Sequence, residues 1–320
     1  MYFAFLTCIF RWTLPAYVIA PTDDSQPYVI STNVNLVVLP VTVTDRQNQF
    51  VSGLDASQFR VYEEGRLQML SLFKAEDIPV AVGLVVDHSE SMDARKTDVL
   101  KGATAFVRAS NSEDEEFVVN FSREVLLGLP PNVSFTNNLD ELRTALSVVP
   151  ASGMTALYDA IAEALDHLRN ARKEKKVLIL ITDGEDNESH HYFDQVLRMA
   201  QELNVLIYSV GLFDTDKIEN ARDSSTAEIL KHLFDEDKAV LLQLAKDTGA
   251  AAYFPKDSDE VISVCQQIAS DIRHQYTLGY SPREDGRSAY RKIRVKVVGS
   301  HQGKLVARTR TGYFLPSRPH

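Results

Sequence analysis

Asp87, Ser89 and Ser91 stand at i, i+2 and i+4 in the stretch Asp87-His88-Ser89-Glu90-Ser91, directly after the apolar run at residues 80–86. Side chains alternate along an extended segment, so one carboxylate and two hydroxyls leave the end of a buried strand on the same side. Two more groups of oxygen-bearing residues occupy comparable places. Ser152-Gly153-Met154-Thr155 comes just before an amphipathic helical pattern, and Thr182-Asp183-Gly184 follows a second apolar run at residues 177–181. Carboxylate and hydroxyl oxygens are hard donors, suited to Mg²⁺, with Ca²⁺ or Mn²⁺ possible, rather than to softer Zn²⁺. If Ser89, Ser91 and Thr155 bind directly while one or both of Asp87 and Asp183 act through water, the ion stays electrophilic. It then keeps a position open for an acidic side chain of another protein.

Each group also has a plain structural reading. Ser89 and Ser91 suit helix N-caps, Thr155 stands where a cap of the helical pattern at 156–169 would fall, and Asp183-Gly184 has turn composition. A metal cradle requires that the three groups converge. In an open parallel α/β sheet they can, because ligands gather outside the carboxyl ends of the strands.

The elements needed for such a sheet are visible between residues 77 and 275. Apolar strand patterns at 80–86, 116–121, 177–181, 205–210 and 251–254 are separated by helical patterns. Examples are Val99, Leu100, Ala103, Phe106 and Val107, and later Phe193, Val196, Leu197, Ala200 and Leu203. Spacings of three and four between apolar residues, interleaved with buried strands, specify an α/β fold with a doubly wound, mostly parallel sheet. Residues 213–238, polar and acidic, read as a long solvated loop before a helix starting near Ala239.

Outside this region the pattern changes to short alternating strands at 36–44, 59–62 and 67–73, and again at 276–280, 293–298 and 305–313. Neither set makes a good core alone. Residues 28–76 and 276–320 are therefore expected to pair into one discontinuous β-sandwich, with residues 77–275 inserted between them. Residues 1–27 read as a leader and linker: an apolar segment broken by Arg11 and Pro15, followed by turn formers. This places the protein outside the cytoplasm, whether periplasmic, envelope-associated or secreted, and leaves membrane attachment open.

With 320 residues, 44% of them hydrophobic, the chain can bury a sizeable core, and its net charge of −10 argues against nucleic acid as a partner. The charge is uneven. Residues 281–320 hold ten Lys and Arg against Glu284 and Asp285, a surplus of eight that leaves −18 on the rest. Solvent-facing protection of sheet edges is one account and an anionic partner surface is another. Cys8 and Cys265 give no disulfide framework, and Cys265 falls on the apolar side of a helix.

Asp87-x-Ser89-x-Ser91, then Thr155, then Asp183 in Thr-Asp-Gly, resembles the metal-ion-dependent adhesion site of von Willebrand factor type A domains in order and spacing. The resemblance covers about residues 77–275. The flanking Val-Thr-Val-Thr-Asp, Phe-Arg-Val-Tyr-Glu-Glu-Gly and Arg-Thr-Gly-Tyr segments are similar to bacterial proteins grouped as von Willebrand factor A-related. The resemblance implies that Ser89, Ser91 and Thr155 coordinate the ion and that Asp87 and Asp183 coordinate it or hold waters. It also implies a non-enzymatic adhesion or protein-binding module without a small-molecule cofactor, with Glu90, Glu185 and His190 at the rim. In adhesive relatives the last helix can shift to alter affinity, here the helix near 257–273. His88 and Glu90 depart from the small or neutral residues common at the variable positions, and Glu90 adds negative charge near the mouth. Two other functions are weighed. A metal-dependent phosphatase of the haloacid dehalogenase kind would need a second Asp where Ser89 stands, and so lacks its general acid. An intracellular type A module assisting an ATPase complex is disfavoured by the leader.

Overall fold

A computed structural model describes residues 36–75, 77–150, 153–283, 289–299 and 304–314. The leader at 1–27, Cys8 and Ser152 lie outside the described residues. The β-branched N-terminal segments form β1 (Val37–Thr44), β2 (Phe59–Glu63), β3 (Arg66–Gln68) and β4 (Leu72–Lys74). The single strand expected over 67–73 is thus two, broken at 69–71, and its halves join different sheets.

The α/β region follows as β5 (Val80–Asp87), α1 (Lys96–Ala109), β6 (Glu115–Phe121), β7 (Val125–Leu127), α2 (Leu139–Leu146), α3 (Leu157–Leu168), β8 (Lys175–Thr182), α4 (Phe193–Glu202), β9 (Val205–Gly211), α5 (Asp216–Glu219), α6 (Ser224–Thr248), β10 (Ala252–Tyr253) and α7 (Ser258–Arg273). Its six strands are ordered β10-β9-β8-β5-β6-β7, parallel except for β6 with β7. Every residue of β5 is buried, as expected of a central strand covered by helices on both faces. From β5 the chain moves first to β6 on one side and later returns as β8 on the other. The carboxyl ends of β5 and β8 therefore flank the point where connections diverge, the usual crevice of such sheets.

The loop expected over 213–238 is a correction: it holds α5 and most of α6. The Asp223 carboxylate accepts the Thr226 N–H at 2.8 Å as the N-cap of α6, and Gly249 ends the helix at φ +93°. The 25-residue α6 has no buried side chain before Leu241. Its first two thirds carry a half-buried stripe at Ala227, Leu230, Phe234 and Val240, with the Phe234 ring 5.3 Å from that of Phe213, diluted by the polar and acidic residues around it.

β11 (Tyr276–Tyr280), β12 (Tyr290–Val297), β13 (Val306–Arg308) and β14 (Gly312–Phe314) complete the chain. The strand expected over 305–313 is also broken, at 309–311, into pieces that serve different sheets. Two antiparallel sheets result, β13-β1-β11-β4 and β14-β12-β2-β3, each mixing N- and C-terminal strands. Leu39, Val41, Phe59, Val61, Leu278, Tyr280, Ile293 and Val295 form one apolar core with contributions from both sheets, distinct from the core of the α/β region. Edge protection does not account for all of the basic tail. Arg291 is buried against Glu63, Arg308 pairs with buried Asp271, and buried Arg310 donates to the Gln201 and Val38 carbonyls at 3.3 and 3.2 Å. Cys265 is buried in α7, as its position on the apolar side required.

Glu116 on β6 is buried, and one of its carboxylate oxygens has no hydrogen-bond partner among the described residues. Burial pushes its pKa up to about 7; the Ser110 hydrogen bond opposes this, Asp114 adds to it and Arg273 opposes it. Because the folded pKa lies above the unfolded one, this group's contribution is full below pH 4.5 and is lost as pH rises towards 7. Glu116→Gln should therefore stabilise the protein by roughly 1–2 kcal/mol at pH 8 and leave it unchanged at about pH 4, read from urea unfolding at both values. An equal effect at the two pH values would show that the charge is not the cause.

Candidate metal centre

β5 ends at Asp87, which is 1% exposed. Its Oδ1 accepts the Ser89 N–H at 2.8 Å and its Oδ2 accepts the Thr182 hydroxyl at 2.6 Å. The parallel register of β5 and β8 pairs Val86 with Ile181, which brings Thr182 to Asp87. Thr182 Oγ1 in turn accepts the Gly184 N–H at 3.0 Å, and Gly184 turns the chain at φ +91°. A Cβ on Gly184 would lie 3.1 Å from both the Cβ and the carbonyl oxygen of Asp237, so α6 packs directly on the Asp183 loop.

The other two loops are tied in by main-chain hydrogen bonds. The Glu90 N–H donates to the Gly153 carbonyl at 3.2 Å. The Thr155 N–H donates to Asn187 Oδ1 at 2.8 Å, and the Thr155 carbonyl accepts the Asn187 and Glu188 N–H groups at 3.0 and 3.1 Å. Asp87, Ser89, Ser91, Thr155 and Asp183 are thus gathered at the carboxyl ends of β5 and β8.

The hydroxyls are not used as caps. Ser89 precedes a 3-10 turn at Glu90–Arg95 but makes no side-chain cap bond, and Ser91 lies within that turn. The N-cap of α3 is Ala156, one residue after Thr155, again without a side-chain bond. Ser89 and Thr155 are each 1% exposed, and the Ser89 and Ser91 oxygens are 3.0 Å apart. The turn reading holds for Asp183, whose Oδ1 accepts the Glu185 N–H at 3.3 Å.

Burial, and then the charge of Asp183, push the Asp87 pKa up to about 7. Asp237 is likewise pushed to about 7, by burial and then by Asp183, Glu185 and Glu236. Among the described residues no Lys or Arg forms an ion pair with Asp87, Asp183 or Asp237. Nor do three His, Cys, Asp or Glu side chains there form a metal-holding group, so a cradle at this place depends on hydroxyl ligands beside two carboxylates. Uncapped hydroxyls next to a buried carboxylate that lacks a basic partner fit a hard divalent cation.

The rim residues are placed differently from one another. Glu90 is exposed, and Glu185 is half-buried with Oε1 accepting the Asn187 side-chain N–H at 3.0 Å. His190 is exposed and anchored on Asp159 of α3, with Nδ1 3.1 Å from Oδ2, while His191 Nδ1 lies 2.7 Å from Oδ1. Against the upward push of burial, the two histidines' main-chain N–H groups and rings hold Asp159 well below the usual carboxylate range. His88 is buried, with Nε2 3.0 Å from Asn120 Oδ1, and so serves as a core bridge.

The roles of three residues of the site were not found by sequence reasoning. Thr182 fixes the Asp87 carboxylate, and Asn187 fixes Thr155. The signal for both was the polar run that continues after residue 181. Asp237 lay on a helix taken for a loop, and its spacing from Leu230 and Phe234 along the half-buried side of that helix was the signal.

Residues 82–185, from within β5 to just past β8, match the family model of the von Willebrand factor type A domain. The chain carries a von Willebrand factor type A domain. Over 186 residues it is 25% identical to an uncharacterized protein of Borreliella burgdorferi, covering 57% of this chain and 52% of that one. Over 121 residues it is 31% identical to human inter-alpha-trypsin inhibitor heavy chain H3, covering 34% of this chain and 13% of that protein. The chain thus spans about half the length of the first relative and a small part of the second. A solved von Willebrand factor type A structure from Catenulispora acidiphila aligns with a TM-score of 0.49 at 10% identity, over 88% of this chain and 75% of that one. The matched part of the type A domain contains all five gathered residues and ends before α6, so Asp237 lies outside the matched segment.

Proposed function

We propose that the chain is a non-enzymatic, metal-dependent protein-binding module acting outside the cytoplasm. Type A domains typically mediate protein–protein interaction or adhesion, which is the coarse function of the domain. In the finer reading, Ser89, Ser91 and Thr155 hold a divalent cation, Mg²⁺ first and Ca²⁺ or Mn²⁺ as alternatives. Asp87 and Asp183 bind it or orient its waters. The bound cation supplies an electrophilic position for a carboxylate of the partner protein. The observation that carries this reading is the set of buried hydroxyls, Ser89 and Thr155, left uncapped beside a buried carboxylate without a basic partner.

The chain's own residues prepare the site. Thr182 and the Ser89 N–H fix both oxygens of Asp87, and Asn187 fixes the backbone of Thr155. Such second-layer bonds typically influence metal affinity by about 10–100-fold. Glu90 at the mouth, with Glu185 and Asp237 beside the Asp183 loop, adds negative charge that favours the cation and opposes a partner carboxylate until the cation is bound.

Calorimetric titration of the full chain with Mg²⁺, Mn²⁺ and Ca²⁺ should show one binding event, weakened on the order of 100-fold in Thr155→Ala. The same titration on Asn187→Ala should show about a tenfold loss. Unchanged affinity in Thr155→Ala would remove that residue from the site and the reading with it.

A further inference from the structure

We propose that the outer face of the β14-β12-β2-β3 sheet docks on an anionic lipid bilayer, independently of any cation at the carboxyl end of β5. The face is built by register. Lys292, Arg294 and Lys296 alternate along β12 with buried Arg291, Ile293 and Val295 and half-buried Val297, and all three are exposed. Across the strand pair Arg294 opposes Tyr62 and Lys296 opposes Arg60, while Tyr62 opposes Leu67 on β3. Successive basic residues on β12 are therefore roughly 7 Å apart, far enough to address separate phosphates.

No described carboxylate neutralises the cations of this face. Among the described residues none of Arg60, Lys292, Arg294 and Lys296 forms an ion pair. Arg60 donates to the Ser57 and Phe59 carbonyls at 2.7 and 2.9 Å, and Lys296 Nζ lies 5.6 Å from the Tyr62 ring centre. The nearby acid Glu64 accepts the main-chain N–H of Lys292 at 2.6 Å. A hollow of about 300 Å³ opens between these cations, lined by Tyr62, Gly65, Lys292, Ile293, Arg294 and Lys296.

The placement of apolar side chains points to a bilayer. An interface with a folded protein gains most of its affinity from a few well-packed, desolvated anchors near its centre. Here the centre consists of exposed Lys292, Arg294 and Lys296 around half-buried Tyr62, and the most exposed apolar side chains stand at one edge: Leu67 is 55% and Met69 is 89% exposed. That arrangement suits a membrane surface, where cations stay at headgroup level and short apolar side chains reach the acyl boundary. The net charge of −10 on the whole chain would let only such a face approach a negative surface, so binding would be oriented.

The test is co-sedimentation of the full chain with phosphatidylcholine vesicles, with and without about 30 mol% phosphatidylglycerol, at roughly 0.1 and 0.5 M NaCl. Binding is expected only with phosphatidylglycerol, and to be lost at high salt. Arg294→Glu with Lys296→Glu should lower the partition coefficient at least about tenfold, since each basic residue near such a surface is worth about fivefold. Met69→Ser, which alters one exposed side chain and leaves the fold intact, should lower it by roughly threefold. Any of three outcomes overturns the proposal: equal binding to vesicles without phosphatidylglycerol, wild-type binding by the folded charge-reversed variant, or capture by soluble polyglutamate without binding to vesicles. The last would assign the face to an acidic protein instead.

Discussion

Glu63→Ala is expected to lower the free energy of unfolding by about 3–5 kcal/mol, the typical result of removing one partner from a buried ion pair. Glu63 and Arg291 each expose only 4% of their side chains, and the guanidinium meets the carboxylate at 2.5 Å. The same carboxylate accepts the Tyr280 hydroxyl at 2.6 Å and the Tyr313 hydroxyl at 2.9 Å. Glu63, Arg291 and Tyr313 belong to β2, β12 and β14 of one sheet, whereas Tyr280 belongs to β11 of the other. A single carboxylate therefore joins both sheets, and both ends of the chain, inside the core they share. Alanine would leave a positive charge buried without its carboxylate and two phenol hydroxyls without their acceptor.

Glu63→Gln should cost almost as much, because it keeps the shape and removes the charge that Arg291 requires. Adding Arg291→Met to Glu63→Leu should recover most of the loss, since replacing both members of a buried pair is often close to neutral. Urea unfolding of the three variants measures this directly. A loss below about 1 kcal/mol in Glu63→Ala would mean that the pair does not hold the sheets together.

Most of the α/β region was legible because burial leaves a periodic trace. β5 and β8 are continuous apolar runs, α1 and α4 repeat at three and four, and the oxygen-bearing residues follow immediately after the strands. Legibility ended where burial organised the sequence only weakly. The first two thirds of α6 are half-buried along one narrow stripe, Ala227, Leu230 and Phe234, and the polar and acidic residues around it masked the helix that brings Asp237 beside Asp183. The breaks at 69–71 and 309–311 were hidden for the opposite reason: both halves of each segment are alternating and apolar, and only pairing with distant strands assigns them to different sheets. Arg291, Arg308 and Arg310 read as surface cations because a buried arginine is recognised by its partner. Glu63 and Asp271 lie far along the chain from the arginines they hold. Thr182 and Asn187 were visible as residues but not as roles, since a hydrogen bond to a neighbouring loop leaves no spacing in the sequence.

Asp87→Asn separates a cation cradle from a purely structural polar cluster, because the two accounts predict opposite changes in stability. Asp87 is buried beside Asp183 and has no basic partner among the described residues. Without a cation its charge is a liability, and asparagine removes that charge while keeping an oxygen for the Ser89 N–H. The Thr182 hydroxyl, which now donates to Oδ2, can accept from the new amide instead. In EDTA at about pH 8 the variant should therefore be more stable than wild type, by about 1–2 kcal/mol. In Mg²⁺ the order should reverse. At about one hundred times its dissociation constant a ligand stabilises the native state by about 2.7 kcal/mol, which corresponds to a rise in melting temperature of about 5 °C or more for a chain of this size. The variant, with affinity reduced on the order of 100-fold, should show little of that rise. Thermal melts of both proteins in EDTA and in Mg²⁺ decide the matter. If Asp87→Asn weakens the fold equally in both conditions, Asp87 is a structural hydrogen-bond acceptor and the cradle is lost. If the two curves exchange order on adding Mg²⁺, the buried charge is there for a cation.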